Sequence, residues 1–384
     1  MTVVHRLVLI ISLLSAFSAA APTDFETISR EAAKALAEDR VNDAIRLYRS
    51  GVKQQPGWTD AWWSLGTLLY DQDRFAEALD AFRHFIALTP KRGPAYAFLA
   101  LCEYETHDYD QALRDFRAWA NSGWPGTREM IDIAVFHFAL LLTRDGKFVE
   151  ALYLLTPEVA RMGDTPAITE AMGLASLRMR NLPEDYPPER REMIWLAGEA
   201  AAYAEYFPPD YARADEYAGR LVAHYDDQPE VHFFRGTLFA FEKKNSSEAE
   251  MEFRKELRVS PNHVGAMLEL AGIDIGSNNL EEAVSLAKHA GELDPQNAEA
   301  HHLLGRIWLA KDQPQDAAHE LEIAKQLAPG SANIRSHLAI AYGKLGRSRE
   351  AKAEAALALS LKKKEDVRSP LRQKLRTAAE PEKQ

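Results

Sequence analysis

The chain has 384 residues, more than one domain usually holds, so it must either divide into domains or grow by repetition. Its apolar share of 46% excludes a disordered chain, and its net charge of −11 argues against general nucleic-acid binding, which needs clustered cations. Cys102 is the only cysteine, so an intramolecular disulfide is impossible, and we expect this residue to be a small buried side chain.

The N-terminal segment has the layout of a secretory signal peptide. Arg6 precedes an apolar run from Leu7 to Leu14, and small residues follow as far as Ala20. As a membrane anchor this run is short, because a spanning helix needs roughly 20 apolar residues. We therefore expect residues 1–20 to be removed on export to the periplasm or beyond the cell, with a retained anchor as the weaker alternative. No later segment is apolar enough to span a membrane.

From about residue 25 the sequence repeats with a step of 34 residues. In the N-terminal half the step relates Ala44, Ala78 and Ala112, and also Tyr48, Phe82 and Phe116. In the C-terminal half it relates Ala249, Ala283, Ala317 and Ala351, and also Pro261, Pro295 and Pro329. Chance spacing would not hold several registers at once, so the chain is built from repeats.

Each repeat is predicted to be two helices joined by a tight turn. Apolar residues recur at three- and four-residue steps over 60–70 and again over 75–88, which is typical of amphipathic helices, and Pro90 is expected to end the second one. We expect Gly66 and Ala78 to face each other where the two helices cross. The large residues Trp62 and Phe82 are expected to fill the gap to neighbouring repeats.

This pattern resembles the tetratricopeptide repeat, a 34-residue unit with an aromatic residue, Leu-Gly, Tyr, Ala, Phe, Ala and Pro in order. The unit at 59–92 departs from it at Leu69, where Tyr is usual, and at Phe85, where Ala is usual, and it matches at Trp62, Leu65, Gly66, Ala78, Phe82 and Pro90. Good matches span 25–120 and 229–365. The resemblance implies an all-α fold, a right-handed superhelical solenoid of about 8–9 helix-turn-helix repeats with an irregular middle.

The register slips between the two well-matched stretches. Residues 132–165 still form a divergent unit, but NLPEDYPPER at 181–190 interrupts helix formation. Helices should resume near Arg191 and after Asp210, which is expected to cap the second of them. We expect a signal peptide over 1–20, an N-terminal array over 21–180, an irregular helical segment over 181–228, a C-terminal array over 229–365 and a disordered basic tail over 366–384. Whether 181–228 is a true repeat stays open, as does a boundary between two solenoid halves.

Motifs that carry chemistry are missing from the sequence: there is no phosphate loop, no GxSxG or HExxH motif and no paired-cysteine site. His301 and His302 are neighbours on a predicted helix, so their side chains point about 100° apart and cannot chelate one metal ion together. Glu282 is expected to complete a capping box with Asn279. We therefore expect no catalytic residue, no cofactor and no metal, with an unrecognised enzyme site near 181–210 as a remote alternative.

The resemblance also implies where a partner would bind, because the first helix of each such repeat lines a concave groove. The implied groove residues are Trp63, Thr67, Tyr70, Asp71, Leu101, Tyr104, Phe233, Phe241, His302, Arg306 and Lys344, accompanied by Ala97 and Ile340. We interpret the chain as an exported, non-enzymatic scaffold or adaptor for a protein or peptide partner. The alternative is an envelope structural or assembly protein that oligomerises through the ends of the solenoid.

Overall fold

The structure, a computed structural model, describes residues 24–89, 93–162, 165–205, 209–241 and 246–377. The regular structure of these ranges is helical, with nineteen α-helices, one short 3₁₀ turn and no strand. By its internal contacts the chain divides into unit 1, Met1–Leu154, and unit 2, Leu155–Gln384. The signal peptide expected at 1–20 and the proline at position 90 lie outside the described residues.

The helices follow each other through short turns. Unit 1 contains α1 Asp24–Ala37, α2 Val41–Gln54, α3 Thr59–Tyr70, α4 Phe75–Leu88, α5 Pro94–Glu105, α6 Tyr109–Asn121 and α7 Arg128–Arg144, and α8 Phe148–Met162 spans the division. Unit 2 continues with α9 Pro166–Ser176, α10 Arg191–Glu205, α11 Tyr211–Tyr225, α12 Val231–Phe241, α13 Ser246–Val259, α14 Val264–Gly276, α15 Leu280–Leu293, α16 Ala298–Ala310, α17 Pro314–Leu327, α18 Ala332–Lys344 and α19 Ser348–Thr377. The all-α fold of helix-turn-helix repeats is therefore confirmed.

Each regular repeat has a first and a second helix. The first helices are the odd-numbered helices of unit 1 and the even-numbered helices from α12 onward. The helices α3, α5, α12, α14, α16 and α18 each pack against the helix that follows and against the helix that precedes. The alanines that set the 34-residue step lie on second helices, and all of them except the partly buried Ala351 are fully buried, among them Ala78, Ala283 and Ala317. Because small residues let two helices approach closely, their regular spacing produces the regular stacking.

The turn between the two helices of a repeat has the same backbone shape along the chain. Asp73 adopts a left-handed conformation with φ 56°, and the N–H of Arg74 donates to the carbonyl of Leu69 at 2.9 Å, which closes a Schellman motif at the end of α3. The left-handed residues of the equivalent turns are Asp39, His107, Gly146, Asn278, Asp312 and Gly346. Apart from Gly146, each follows its predecessor within the same array by 34 residues, so the turns share the register of the helices.

Gly66 makes room for an aromatic ring. A Cβ atom at this position would lie 2.8 Å from the ring of Phe82, so the absence of a side chain at Gly66 accommodates this ring. The facing of Gly66 and Ala78 stays a prediction. Phe82 is fully buried and stacks on Phe98 of the next repeat, with ring centroids 5.2 Å apart. The ring thus joins two repeats, as predicted for Phe82.

The middle of the chain contains a closer helix crossing. A Cβ at Gly173 of α9 would overlap the carbonyl oxygen of Ile194, and a Cβ at Gly198 of α10 would overlap the carbonyl oxygen of Thr169. The two backbones therefore touch directly. Leu182, in the proline-rich connection between α9 and α10, is fully buried. As predicted, this connection contains no α-helix.

The N-terminal ends of α11 and α15 differ in how they are capped. Asp210 caps α11, because its carboxylate accepts the N–H of Arg213 at 3.1 Å, as predicted. The capping box expected at Asn279 is wrong: its side chain makes no bond to the backbone of α15, and its amide donates to Glu282 and Asp274 instead.

The last helix extends past the expected start of the basic tail. We expected disorder from residue 366, whereas α19 continues to Thr377, and residues 378–384 lie outside the described part of the chain. Charged residues recur along α19, so its length does not make it a membrane helix. In the ranges that the structure describes, no helix combines the length and the apolar character that a membrane span requires.

Candidate functional site

The two adjacent tryptophans of α3 have different environments from those we expected. Trp63, predicted to face the groove, is partly buried, and its ring lies 5.3 Å from Phe85 and 5.6 Å from Phe98. Trp62, predicted to fill the gap between repeats, stacks on His84 at 4.3 Å and donates its Nε1–H to the carbonyl of Pro56. Trp63 therefore belongs mainly to the aromatic core between two repeats.

Tyr70 and Asp71 lie at the end of α3 and keep contact with solvent. The ring of Tyr70 is partly buried between Phe75 and Phe98, with centroid distances of 5.5 and 5.3 Å. Asp71 is exposed, yet the surrounding protein withdraws its carboxylate from water and raises its pKa to about 6. We refer to the surface that Tyr70, Asp71 and the nearby Glu105 form at the end of α3 as the recess.

The charges around this recess are negative. Burial raises the pKa of the Tyr70 hydroxyl well above its usual range, and neighbouring anionic groups, including Glu105, raise it further. His137 lies 4.0 Å from Glu105, but burial lowers the pKa of this histidine and favours its neutral form. The hydroxyl of Thr67 donates to helix carbonyls, that of Trp63 among them, at 3.1–3.2 Å. Tyr70, Asp71 and Glu105 are therefore the polar groups that the recess offers.

Four of the implied groove residues are buried, and the expectation that they are open to a partner is wrong. They are Leu101, Tyr104, Phe233 and His302, whose exposure does not exceed 9%. Neighbouring elements cover them: the ring of Tyr104 contacts His137 on α7 at 4.7 Å, and Phe233 packs against Phe253 and His263. Ala97 is also fully buried.

The remaining groove candidates lie in unit 2. Arg306 is partly buried and Lys344 is exposed, with its ammonium 2.6 Å from Asp312 of the preceding repeat. Ile340 is half exposed. α12 ends at Phe241, whose side chain lies outside the described part of the structure. This face of unit 2 therefore offers fewer accessible candidates than the sequence indicates.

A histidine pair in unit 2 was missed from the sequence. His302 Nε2 on α16 lies 3.0 Å from His337 Nδ1 on α18. Burial and the neighbouring His302 lower the pKa of His337. The two residues are 35 positions apart, one repeat plus one residue, and such a spacing places them on adjacent first helices. That spacing was the available signal, whereas the adjacent His301 instead bonds to Glu320 at 2.7 Å.

A small cavity of about 450 Å³ lies between α11, α12 and α13. His232 and Lys255 line it, but both are already bonded to the buried carboxylate of Glu252, at 2.6 and 2.7 Å. Burial alone would raise the pKa of Glu252, and the bonds from His232 and Lys255 outweigh this effect and lower it. The polar groups of this network satisfy each other, which is typical of a structural role.

One buried acid of unit 1 has a strongly shifted pKa. Glu103 on α5 is 1% exposed, and burial together with the nearby Asp115 raises its pKa to about 8. Arg83 is half exposed and its guanidinium lies 3.6 Å away, where it lowers this pKa, but burial and Asp115 outweigh its effect. Cys102 beside it is fully buried, as expected, and burial raises the pKa of its thiol. Among the described residues, no group of three or more metal-ligating side chains converges on one point.

Comparisons with known proteins point to one family. Profiles of the tetratricopeptide repeat match residues 30–93, 66–127 and 240–307. The first two matches cover the repeats of α2 to α6, and the third begins at the end of α12 and extends into α16. No curated protein sequence matches the chain.

Solved structures of helical repeats resemble parts of the chain at low identity. A portion of MamA from Desulfovibrio magneticus RS-1 is 18% identical, with 46% of this chain and 97% of that chain covered and a TM-score of 0.40. The thermophilic protein TTC0263 from Thermus thermophilus is 23% identical over 44% and 88%, with a TM-score of 0.35. Yeast Tom70 is 14% identical over 88% and 76%, with a TM-score of 0.40.

Proposed function

Because the chain belongs to the tetratricopeptide repeat family, whose members bind protein partners, we propose that it is an exported, non-enzymatic scaffold. Its partner segment binds on the first helices of unit 1, in the recess at the end of α3. Protein-interaction scaffolding is the general role of this family. The location of the groove, the export and the absence of catalysis are parts of this proposal.

The observation that carries the proposal is the environment of Asp71. Asp71 is an exposed residue, and partial burial of its carboxylate raises the pKa to about 6, which supports a surface where a ligand could cover this group. The adjacent ring of Tyr70 supplies a rigid aromatic surface, and such rings are favoured as anchors in interfaces. A bound segment would remove Asp71 from water at a smaller cost than a fully hydrated carboxylate, because part of the desolvation is already complete.

The negative charge of the recess restricts which peptide segments can bind there. Asp71 and Glu105 contribute negative charge, and the neutral His137 does not compensate it. We therefore expect the bound segment to place a Lys, an Arg or another hydrogen-bond donor beside Tyr70. Complementary charge of this kind mainly sets specificity and the rate of association.

Site-specific photo-crosslinking in the native host tests the location of the groove. A benzoylphenylalanine is introduced at position 67 on α3 or at position 71 directly after it, and at the exposed position 80 on α4 as a matched control. We expect positions 67 and 71 to capture one discrete protein that position 80 does not capture. Asp71→Lys should reduce capture from position 67, whereas Asp80→Lys should not. Identical products from all three positions would remove the support for this groove.

Export is tested separately, by N-terminal sequencing of the protein purified from its host. We expect the mature chain to begin at Ala21, because the small residues before it suit signal-peptide cleavage. A chain that begins at Met1 and fractionates with cytosolic proteins would contradict export while leaving the groove untouched.

A further inference from the structure

Two histidines on neighbouring first helices of unit 2 form an unassigned pair of metal-type ligands. His302 is buried on α16, His337 is partly exposed on α18, and their nitrogens Nε2 and Nδ1 are 3.0 Å apart. Neutral imidazole is a common ligand of late transition metals. We propose that this pair binds a divalent ion of the Cu²⁺ or Ni²⁺ class between Nε2 of His302 and Nδ1 of His337.

A carboxylate orients the first of these rings. Nδ1 of His302 lies 3.1–3.2 Å from the carboxylate oxygens of Glu299, one turn earlier on α16. Because a carboxylate only accepts, Nδ1 carries the hydrogen, and Nε2 presents its lone pair towards His337. A metal-binding histidine commonly donates its second nitrogen to a carboxylate, which fixes the tautomer and raises the basicity of the ligand.

The separation of the two nitrogens favours one coordination geometry. With metal–nitrogen bonds of about 2.0–2.1 Å, two ligands at 90° lie about 2.9 Å apart, whereas tetrahedral ligands lie about 3.3 Å apart. The observed 3.0 Å matches adjacent positions of a square-planar or octahedral ion. Cu²⁺ and Ni²⁺ adopt these geometries with nitrogen ligands, so we expect both to bind more tightly than Zn²⁺.

The second ring must change its tautomer to bind the ion. In the metal-free protein Nδ1 of His337 also lies 2.9 Å from the carbonyl of Asn333, so this nitrogen carries the hydrogen that it shares between Asn333 and His302. Binding moves that hydrogen to Nε2 of His337 and frees the Nδ1 lone pair, with no net loss of a proton. The charge nearby is mixed, because the Glu299 carboxylate favours a cation and the Arg306 guanidinium opposes it.

The remaining coordination positions are open to other ligands. Since the described side chains provide no third ligand at this point, water or a donor atom from a bound partner completes the coordination. A site with two protein ligands is weaker than a full protein site. It would tighten if a partner segment on these first helices added a ligand.

Titration of the full chain with NiCl₂ or CuCl₂ by calorimetry, after removal of metals by a chelator, tests the proposal. We expect one ion per chain to bind more tightly than any ion bound weakly by the other ten of the twelve histidines. His302→Gln, His337→Gln and the double variant should each abolish this binding step. Glu299→Gln should weaken it about tenfold, in line with the loss of an orienting carboxylate. His301→Gln and His319→Gln serve as controls and should leave it unchanged.

Thermal unfolding with and without the ion keeps the test independent of folding defects. His337 is partly exposed, so His337→Gln should fold, which circular dichroism will verify. Ni²⁺ should raise the melting temperature of the wild type and of His301→Gln, but not that of a folded His337→Gln, because only a ligand of the native state stabilises it. Absence of a stoichiometric ion in the wild type, or its retention in His337→Gln, would overturn the proposal.

Discussion

Two helix crossings, one in the regular repeat α3–α4 and one between α9 and α10, use glycine for different purposes. In α3–α4 the space above Gly66 is filled by the ring of Phe82. Between α9 and α10, Gly173 and Gly198 face carbonyl oxygens of the opposite backbone. The first crossing uses glycine to accommodate a side chain, and the second uses it to bring two main chains together.

The difference determines how each crossing can respond to a change. A ring such as that of Phe82 can move by a few tenths of an ångström within its packing. A helix carbonyl can move only if the helix moves with it. We therefore expect the crossing in the middle of the chain to tolerate substitution much less than the regular repeats do.

A single added methyl group should be most damaging at the crossing of α9 and α10. Gly173→Ala or Gly198→Ala would force α9 and α10 apart and should destabilise unit 2 by about 3 kcal/mol or more. Hydrogen exchange followed by mass spectrometry should show faster exchange in both helices, and the thermal midpoint should fall. Native protection of α9 and α10 in Gly173→Ala would contradict the direct contact of the two backbones.

A smaller effect is expected where glycine faces a side chain. A Cβ at Gly305 would meet the fully buried side chain of Leu321. Gly305→Ala should cost about 1–2 kcal/mol, because Leu321 can adopt another rotamer. Urea unfolding monitored by circular dichroism measures this cost. If Gly305→Ala proved as damaging as Gly173→Ala, the distinction between the two kinds of crossing would be lost.

The regular repeats also contain a buried acid, Glu103, whose titration should make the stability of unit 1 depend on pH. Since the folded pKa of Glu103 is raised to about 8, above the unfolded value near 4.5, the folded state retains a proton that the unfolded state releases between these values. Its contribution to stability is therefore present at low pH and lost as the pH rises towards 8. Glu103→Gln should reduce the loss of unfolding free energy between pH 5 and pH 8.5 by roughly 2 kcal/mol. An unchanged pH profile in this variant would mean that Glu103 is ionised in the folded protein.

The smallest effect should have the opposite sign. Gly272 lies within α14, and a methyl group added there would have no neighbouring atom within 4 Å, so Gly272→Ala introduces no clash. Alanine should stabilise the helix by about 0.5–1 kcal/mol, because glycine loses more backbone entropy on folding. A rise of a few degrees in the thermal midpoint would confirm this. Destabilisation would show that the chain needs glycine there for another reason.

The helices were predictable because several residue types keep the 34-residue step together. The register of Ala78 and Phe82 places each second helix, and the polar turn before Phe75 separates it from the first. The crossing of α9 and α10 was not predictable, since Gly173 and Gly198 reveal a close backbone contact only when the crossing angle is known. Small residues alone indicate that helices can approach, but not which atoms meet.

The candidate site was predicted less well, because a helical stripe does not show what a neighbouring helix covers. Tyr104 and His302 lie on first helices as expected, but residues of the adjacent first helix cover them. One signal was available in the sequence: α5 is apolar on nearly all sides, which is typical of a buried helix. For Asp71, exposure could be predicted, whereas the partial burial of its carboxylate needed coordinates.

The left-handed residues in the turns affect how the repeats open. Gly146 and Gly346 adopt this conformation easily, whereas Asp39, Asp73 and Asp312 do so at a cost of roughly 1 kcal/mol each. In a linear array, where a repeat contacts only its neighbours, such local costs determine the order in which segments fray. The aspartate turns are therefore points where a repeat can melt before the rest, and exchanging aspartate for glycine would change that order without altering a packed side chain.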